Sequence, residues 1–472
     1  MAQIKFGTDG WRALMDTEYT MENLEKVTQA FADLMNEEHR KAGKAGSPRI
    51  VVGYDFRENS DTFAKRAAEI LVANGIQVTL SDTACPTPAV SYTIVDEKQD
   101  AGIAITASHN PARYNGFKIK NSIGSSAEKT ITDAVENLVG KNPVKKVPFV
   151  TGNPIIKNLN DRYIQNLKAY LNLDLIKSSP YRILVDSMHG VGADNMEKIL
   201  LGGKIQVKTI RGNRDITFGG VAPEPIAKYL TPSIELMKTG AYDLCVVTDG
   251  DADRVGALRP GGEFVSPGII LSLILLHFAQ DLKKSGGVVT TISNTGLIYR
   301  IARKHNVKVF ETPVGFKYIC EVMRRENILI GGEESGGIAF QGYLFERDGM
   351  LSSLLLMQMM AMRKQSFEEI LNSVEKEFGK LYYVRNDINY PNELKAKLFQ
   401  SLAQNPPKSF QGLKVLEIKS QDGVKFVLED DNWLLFRLSG TEPILRVYSE
   451  ATSQKLAEAI VSEGKDLAFA IQ

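Results

Sequence analysis

Thr106-Ala107-Ser108-His109-Asn110-Pro111 places a hydroxyl nucleophile at the end of an apolar run and then turns the chain sharply. The run before it, Ala101 to Thr106, is short and partly β-branched, as in a buried parallel strand. Asn110-Pro111 stops it, since proline fixes φ and lacks a donor while Asn supports a turn. Open α/β sheets hold their ligands at the carboxyl ends of such strands. Ser108 is therefore expected to be exposed there, on a rigid shelf, ready to take a phosphoryl group. The competing reading is a serine that only caps the following turn.

Asp249-Gly250-Asp251-Ala252-Asp253-Arg254 follows the apolar Val246-Val247-Thr248. Three carboxylates at alternate positions after a strand can converge on one hard cation, with Gly250 and Ala252 leaving the backbone free to curl. Magnesium is the expected ion. An EF-hand does not fit, because a strand comes first and no Glu stands at the twelfth position. A solvated acidic turn is the plain alternative, and clustered like charges without a cation count against it.

Two further loops have weaker signals. Gly331-Gly332-Glu333-Glu334-Ser335-Gly336-Gly337 offers Glu333 and Ser335 as a hydroxyl-reading pair suited to a polyol such as a sugar, or is only a glycine-rich turn. In Thr312-Pro313-Val314-Gly315-Phe316-Lys317 the lysine could hold an anion or face solvent. A stronger signal lies near the C-terminus. Arg437 and Arg446 flank Ser439-Gly440-Thr441, which together supply forked donors, hydroxyls and backbone N–H groups for a phosphate dianion. The chain has no Gly-x-x-x-x-Gly-Lys-Ser/Thr and no Gly-x-Gly-x-x-Gly opening a helix, so nucleotide binding has no support.

These loops need strands and helices to carry them. Arg49 to Asp55, Ile76 to Leu80, Tyr181 to Asp186, Asp243 to Thr248 and Gly287 to Ile292 read as strands, and Thr62 to Asn74 as a helix between two of them. That alternation predicts three successive α/β units, 1–148, 149–258 and 259–377, which could be one topology used three times. The first break falls in Lys141 to Pro148 and the next near Arg259-Pro260-Gly261-Gly262. The remainder, 378–472, carries strands at Val424 to Leu428 and Trp433 to Leu438 before a helix from Gln454, and reads as α+β. Ile269 to Ala279 and the Met-rich Met350 to Met362 read as core helices, the first falling short of the ~20 residues that span a bilayer.

Composition removes whole classes of function. With 472 residues the chain exceeds one core, and its 43% hydrophobic and 24% charged residues are those of a globular protein. A formal net charge of +1 makes no case for nucleic acid or an anionic membrane as partner. The three cysteines, Cys85, Cys245 and Cys320, are too few and too scattered for a disulfide framework or a zinc site. With no apolar leader at the N-terminus, a cytoplasmic protein is expected.

Taken in order, the serine, metal, sugar and phosphate loops resemble the α-D-phosphohexomutases, the family of phosphoglucomutases and phosphomannomutases. Phe6-Gly7-Thr8-Asp9-Gly10-Trp11-Arg12 is similar to that family's N-terminal signature, whose arginine lies near the phosphoserine. The resemblance covers essentially the whole chain. It implies four domains, three similar α/β units with mixed sheets and a C-terminal α+β domain, in a heart shape around a central active-site cleft.

It also implies roles. Ser108 would carry the phosphoryl group, and Asp249, Asp251 and Asp253 would hold a magnesium ion that also touches Ser108. Lys118 and His109 would match the acid/base neighbourhood, with Arg12 a further catalytic residue near the phosphoserine. Arg254, Thr312, Gly315, Lys317, Glu333 and Ser335 would meet the sugar, and Arg437, Ser439, Gly440, Thr441 and Arg446 the substrate's own phosphate. The reaction implied interconverts hexose 1- and 6-phosphates through a hexose 1,6-bisphosphate, which also primes the enzyme. Oligomeric state stays open between monomer and homodimer.

Substrate choice rests on departures. Family members that take both mannose and glucose phosphates often have His after Ser-Gly, where this chain has Gly337. Thr312 to Lys317 looks more like the glucose-phosphate enzymes, while Phe6 to Gly10 is reminiscent of glucosamine-phosphate mutases. Glucose phosphate leads, with mannose phosphate, a glucosamine-phosphate mutase or a non-catalytic sugar-phosphate binder as alternatives.

Overall fold

The structure, a computed structural model, describes residues 4–147, 154–438 and 443–470, and the counts given are of those residues. The apolar runs become strands of four sheets. Arg49–Tyr54, Gln77–Ser81 and Ala101–Ile105 lie in the first, Arg182–Asp186 and Leu244–Thr248 in the second, and Gly287–Thr291 and Ile328–Gly332 in the third. Most of these residues are buried, as a strand covered by helices on both faces requires.

One topology does recur three times. Ala101–Ile105 pairs in parallel with Arg49–Tyr54 and antiparallel with Tyr114–Lys120. Leu244–Thr248 stands in the same way between Arg182–Asp186 and Val255–Leu258, and Ile328–Gly332 between Gly287–Thr291 and Ile338–Phe340. In every unit the loop singled out from the sequence is the turn from this strand into its antiparallel return. The return folds the loop over the strand end, and so Ser108 is only 1% exposed, contrary to the sequence expectation.

Two expected divisions of the chain look different in three dimensions. Ile155–Lys157 pairs in parallel with Gln77–Ser81, whose outer edge is otherwise open, so the first sheet reaches past residue 148. Arg259-Pro260-Gly261-Gly262, near which a boundary is expected, is the turn of a hairpin that adds Phe264–Val265 to the second sheet. Gly261 and Gly262 take φ of +87° and +88°, which glycine allows and side chains resist. The fourth sheet is wholly antiparallel, running Tyr382–Asn389, Ile444–Ala451, Trp433–Leu438, Val424–Leu428, Leu413–Lys419, Ser409–Phe410.

Pro267–Leu276 and Gly349–Arg363 are buried on nearly every side, in keeping with their composition. Met350, Met357, Met359 and Met360 share one apolar cluster with Val90 of the first unit and Val185 and Val246 of the second. Burial of such a side chain contributes roughly 1.5–3 kcal/mol, so these helices bind the first three units into one body. Among the described residues no helix is long and apolar enough to cross a membrane. Cys85, Cys245 and Cys320 are buried free thiols.

The serine loop is held from below by Arg57, which is fully buried. Its guanidinium donates to four carbonyls of the loop: Pro111 O at 2.9 Å, Tyr114 O at 3.0 Å, Ser108 O at 2.7 Å and Asn110 O at 2.6 Å. Asp55 lies 3.2 Å from its Nε and also accepts the Thr106 hydroxyl, which in turn accepts the Ser108 N–H. Ser108 has φ of +52°, a strained value for a residue with a side chain, and this lattice of donors keeps it there. Replacing Arg57 with Ala removes the donors to those four carbonyls and leaves the buried Asp55 without its counter-charge. The expected cost is about 3–5 kcal/mol, read as a lower urea midpoint, with faster amide exchange confined to residues 106–114.

Candidate active site

Ser108 meets the metal loop directly. Its hydroxyl donates to Asp249 Oδ2 at 2.8 Å and lies 3.3 Å from His109 Nδ1. The two loops touch so closely that a Cβ on Gly250 would sit 2.5 Å from Ser108 O, which is why glycine stands there. Thr87, at the start of helix Thr87–Asp96, donates both its N–H and its hydroxyl to Asp251, at 3.1 Å and 2.5 Å. A domain I helix therefore orients a domain II carboxylate.

Asp249, Asp251 and Asp253 are fully buried and can present oxygens within 4.8 Å of one another. Asp251 Oδ1 and Asp253 Oδ1 have no hydrogen-bond partner, an expensive condition for buried carboxylate oxygens. Burial first, then Asp251 and Asp253, pushes the Asp249 carboxyl well above the usual carboxylate range. Three hard oxygen donors with unmet demand are what a small divalent cation such as magnesium fits.

The opposite faces of the Asp251 and Asp253 carboxylates are occupied by Lys118. Its Nζ lies 2.7 Å from Asp251 Oδ2, 2.9 Å from Asp253 Oδ2 and 2.9 Å from Asp9 Oδ2. Burial alone would lower the Lys118 ammonium, but Asp251, Asp253 and Asp9 outweigh it and raise it above its ordinary value. Burial likewise acts to raise Asp251, and Lys118 and Thr87 reverse that. Lys118 is thus a fixed cation, and its position follows from register, opposite Ala104 in the return strand.

His109 differs. Enclosure, then Arg254 and Arg12, hold its imidazole well below the usual range, so it is neutral near pH 7. Arg12 donates to Asn110 Oδ1 at 3.1 Å and lies 3.4 Å from Asp9, which places it against the serine loop.

Asp9 and Arg347 are the residues that sequence reading did not single out. Arg347 joins Asp9, Asp253 at 2.8 Å and Glu346 at 3.4 Å, and Glu346 pairs in turn with the buried Lys120. Burial would raise Asp9, but Arg347, Lys118, Lys120 and Arg12 hold it well below the usual range. The available signal was Glu346-Arg347-Asp348, a charged triplet immediately before a helix buried throughout. Charges in such a place have to be paired.

The sugar loop is tied to the metal loop by backbone. Val255 N donates to Gly336 O at 3.0 Å, and Arg254 and Gly337 form a bridge. Gly337 has a packing reason, since a Cβ there would stand 2.2 Å from Arg347 Cδ. Histidine at this position would displace the side chain that joins Asp9 to Asp253. Glu333 is 6% exposed, and burial, opposed by Arg347 and aided by Glu334, pushes its carboxyl up to about 7. Ser335 is half-buried, while Glu334 turns back to accept the Thr291 hydroxyl at 2.9 Å.

Thr312 ends strand Val309–Thr312 and is buried, and Gly315, at φ +137°, opens helix Phe316–Arg325. Lys317 lies in that helix's first turn over the Tyr318 ring at 4.9 Å, beside a groove shared with Phe6 to Gly10. On the fourth sheet Arg437 and Arg446 are direct cross-strand partners. Like charges so placed repel each other and call for an anion between them. Arg446 Nε is buried without a hydrogen bond among the described residues, with Asp387 Oδ2 3.7 Å away. Ser439, Gly440 and Thr441 lie outside the described residues. A cavity of about 460 Å3 brings Ser335 of the sugar loop together with Tyr383 and Arg385 of the fourth sheet.

Known proteins share this arrangement along the whole chain. Residues 3–145, 161–262, 267–378 and 392–466 match, in turn, domain I, domain II, domain III and the C-terminal domain of phosphoglucomutase/phosphomannomutase. A phosphoglucosamine/phosphogalactosamine mutase of Sulfurisphaera tokodaii is 30% identical over 98% of both chains, and a phosphoglucomutase/phosphomannomutase of Thermococcus kodakarensis 29% identical over 97% of both. The crystal structure of a Thermus thermophilus protein provisionally named a phosphomannomutase superposes with a TM-score of 0.86, at 33% identity and 99% coverage of each chain. The chain is a four-domain enzyme of the α-D-phosphohexomutase superfamily, an isomerase that works by phosphoryl transfer.

Proposed function

We propose that this enzyme interconverts the 1- and 6-phosphates of a hexose, glucose phosphate first, by way of a phosphorylated Ser108 and a hexose 1,6-bisphosphate. The observation that carries the reading is the Ser108 hydroxyl bonded to Asp249 inside a buried carboxylate triad. Magnesium held by Asp249, Asp251 and Asp253 supplies the positive charge that phosphoryl transfer demands at Ser108.

The protein's own groups do the rest. The phosphoryl group leaves Ser108 Oγ as its P–O bond breaks, and a new P–O bond forms to the free sugar hydroxyl. That hydroxyl's proton passes to a neighbouring base, for which neutral His109 is the available acceptor, and His109, 3.3 Å from Ser108 Oγ, can return a proton to the serine oxygen that the phosphoryl group leaves, while Lys118 stays protonated as fixed positive charge. Glu333 and Ser335 orient the ring through its hydroxyls, and Arg437 and Arg446 hold the phosphate that is not reacting. The bisphosphate then turns around, and the reverse transfer to Ser108 completes the exchange. Bisphosphate added from outside would prime Ser108 by the same second half-reaction.

Glucosamine phosphate is a second reading, favoured by the Sulfurisphaera relative. The two adjacent carboxylates Glu333 and Glu334 would suit its ammonium group. Kinetics with glucose, mannose and glucosamine 1-phosphates side by side decide between them. The highest kcat/KM is expected for glucose 1-phosphate.

Ser108→Ala is expected to lose interconversion by about a thousandfold or more. Near-normal turnover would refute the carrier role, and stoichiometric release of inorganic phosphate by the wild type would identify a phosphatase instead. Stripping divalent ions with EDTA is expected to lower turnover about a hundredfold or more, with recovery on adding magnesium. An enzyme that bound hexose phosphates but never turned them over, even primed, would be a silent paralogue.

Glu333 gives a pH signature. Ionised, it accepts sugar hydroxyls, so kcat/KM is expected to rise with pH through about 7, and Glu333→Gln to remove that limb. The effect on stability has the opposite sense. Because its folded value lies above the usual 4.5, Glu333 adds stability present below that value and lost as pH rises through about 7. Compared by thermal unfolding at about pH 5 and about pH 8, Glu333→Gln therefore loses less stability at the higher pH than the wild type does.

A further inference from the structure

Asp422 sits in the tight turn between strands Leu413–Lys419 and Val424–Leu428, at the tip of a hairpin of the fourth sheet. Gly423 follows with φ of +93°, and a Cβ there would stand 2.1 Å from Phe436 O, so the tip is pressed against strand Trp433–Leu438. That contact fixes where Asp422 can point. Its Oδ2 accepts the Nε–H of Arg437 at 2.9 Å and, at the same time, the Val314 N–H at 2.9 Å. One carboxylate oxygen therefore touches the arginine of the fourth sheet and the backbone of the loop Thr312 to Lys317 in the third unit.

The geometry points to Asp422 as a positioning residue that aims Arg437 at the substrate's non-reacting phosphate and locks the arginine to the domain III loop. The inference rests on the proposed phosphate-clamp role of Arg437. Among the described residues, bonding through Nε leaves the two terminal nitrogens of the guanidinium without a hydrogen-bond partner, and those form the fork that grips a phosphate bidentately. An arginine held on one edge has lost most of its rotamer freedom before the ligand arrives, so less entropy is lost on binding. The Val314 contact adds a second effect. The oxygen that holds Arg437 is itself held by the domain III loop, so docking of the fourth sheet on the third unit tightens the aim of the clamp.

Neighbouring contacts distinguish this role from simple docking. Gln421 Nε2 donates to Glu311 Oε1 at 2.8 Å, and Lys419 Nζ lies 3.1 Å from the same oxygen. Lys425 Nζ donates to Ile292 O at 2.6 Å. These groups hold the same two domains together without touching Arg437. Asp422 alone among the groups of this seam described here joins the seam to the clamp.

Steady-state kinetics on four variants of the full-length enzyme, Asp422→Asn, Gln421→Ala, Arg437→Ala and the double variant Asp422→Asn/Arg437→Ala, test the inference. Asp422→Asn is expected to raise KM for glucose 1-phosphate about tenfold with kcat within about threefold, and Gln421→Ala to leave KM within about twofold. The double variant should be no worse than Arg437→Ala by more than about twofold, because Asp422 acts through that arginine. An unchanged or lowered KM in Asp422→Asn, or additive effects in the double variant, overturns the inference. An unchanged KM in Arg437→Ala instead overturns the clamp assignment beneath it. A further measurement needs no variant: inorganic phosphate added to the wild type should slow hydrogen exchange of the Val314 amide. Exchange that is indifferent to phosphate overturns the lock.

Discussion

Everything at the centre of this molecule depends on one buried ammonium and the carboxylates that hold it. Lys118 comes from the first unit, Asp251 and Asp253 from the second, and Arg347, which shares Asp9 and Asp253 with it, from the third. Charges taken this far from water are tolerable only when paired, and removing one partner typically costs about 3–5 kcal/mol. The three units therefore have one acceptable arrangement, the one in which the charges meet. Apolar burial between the core helices supplies most of the cohesion, and the ion network sets the register at which that cohesion acts.

That register is the one chemistry requires. Because Lys118 already serves one oxygen each of Asp251 and Asp253, their other oxygens remain without hydrogen bonds, in a triad with Asp249 that could hold a cation. Arg57 fixes the serine from below and Thr87 fixes a metal-loop carboxylate from the side. Preorganisation of this kind keeps reorganisation out of the transfer step, where electrostatic stabilisation is the largest contribution available. The threefold repetition of one topology gives the same economy to the scaffold, since each sheet delivers its loop at the same strand end.

Legibility from sequence follows the range of the interactions. The loops at Ser108, at the three aspartates and at Gly331 to Gly337 are readable as turns at strand ends because their signal is local, a few residues after an apolar run. The core helices are readable for the same reason, since composition alone says that Pro267–Leu276 and Gly349–Arg363 must be buried. What cannot be read depends on distant partners. Arg347 and Asp9 are 338 residues apart, and Arg57 binds a loop some 51 to 57 residues away. The burial of Ser108 is hidden from the sequence because the loops covering it come from an antiparallel return and from another domain.

The split origin of the charge network has a consequence for biosynthesis. Asp251 and Asp253 follow Lys118 by 133 and 135 residues. At ordinary elongation rates the first unit leaves the ribosome on the order of ten seconds before them. During that interval Arg12, Lys118 and Lys120 face Asp9 alone, a basic pocket without its counter-charges. The first unit therefore completes its charge pairing only when the later units dock on it.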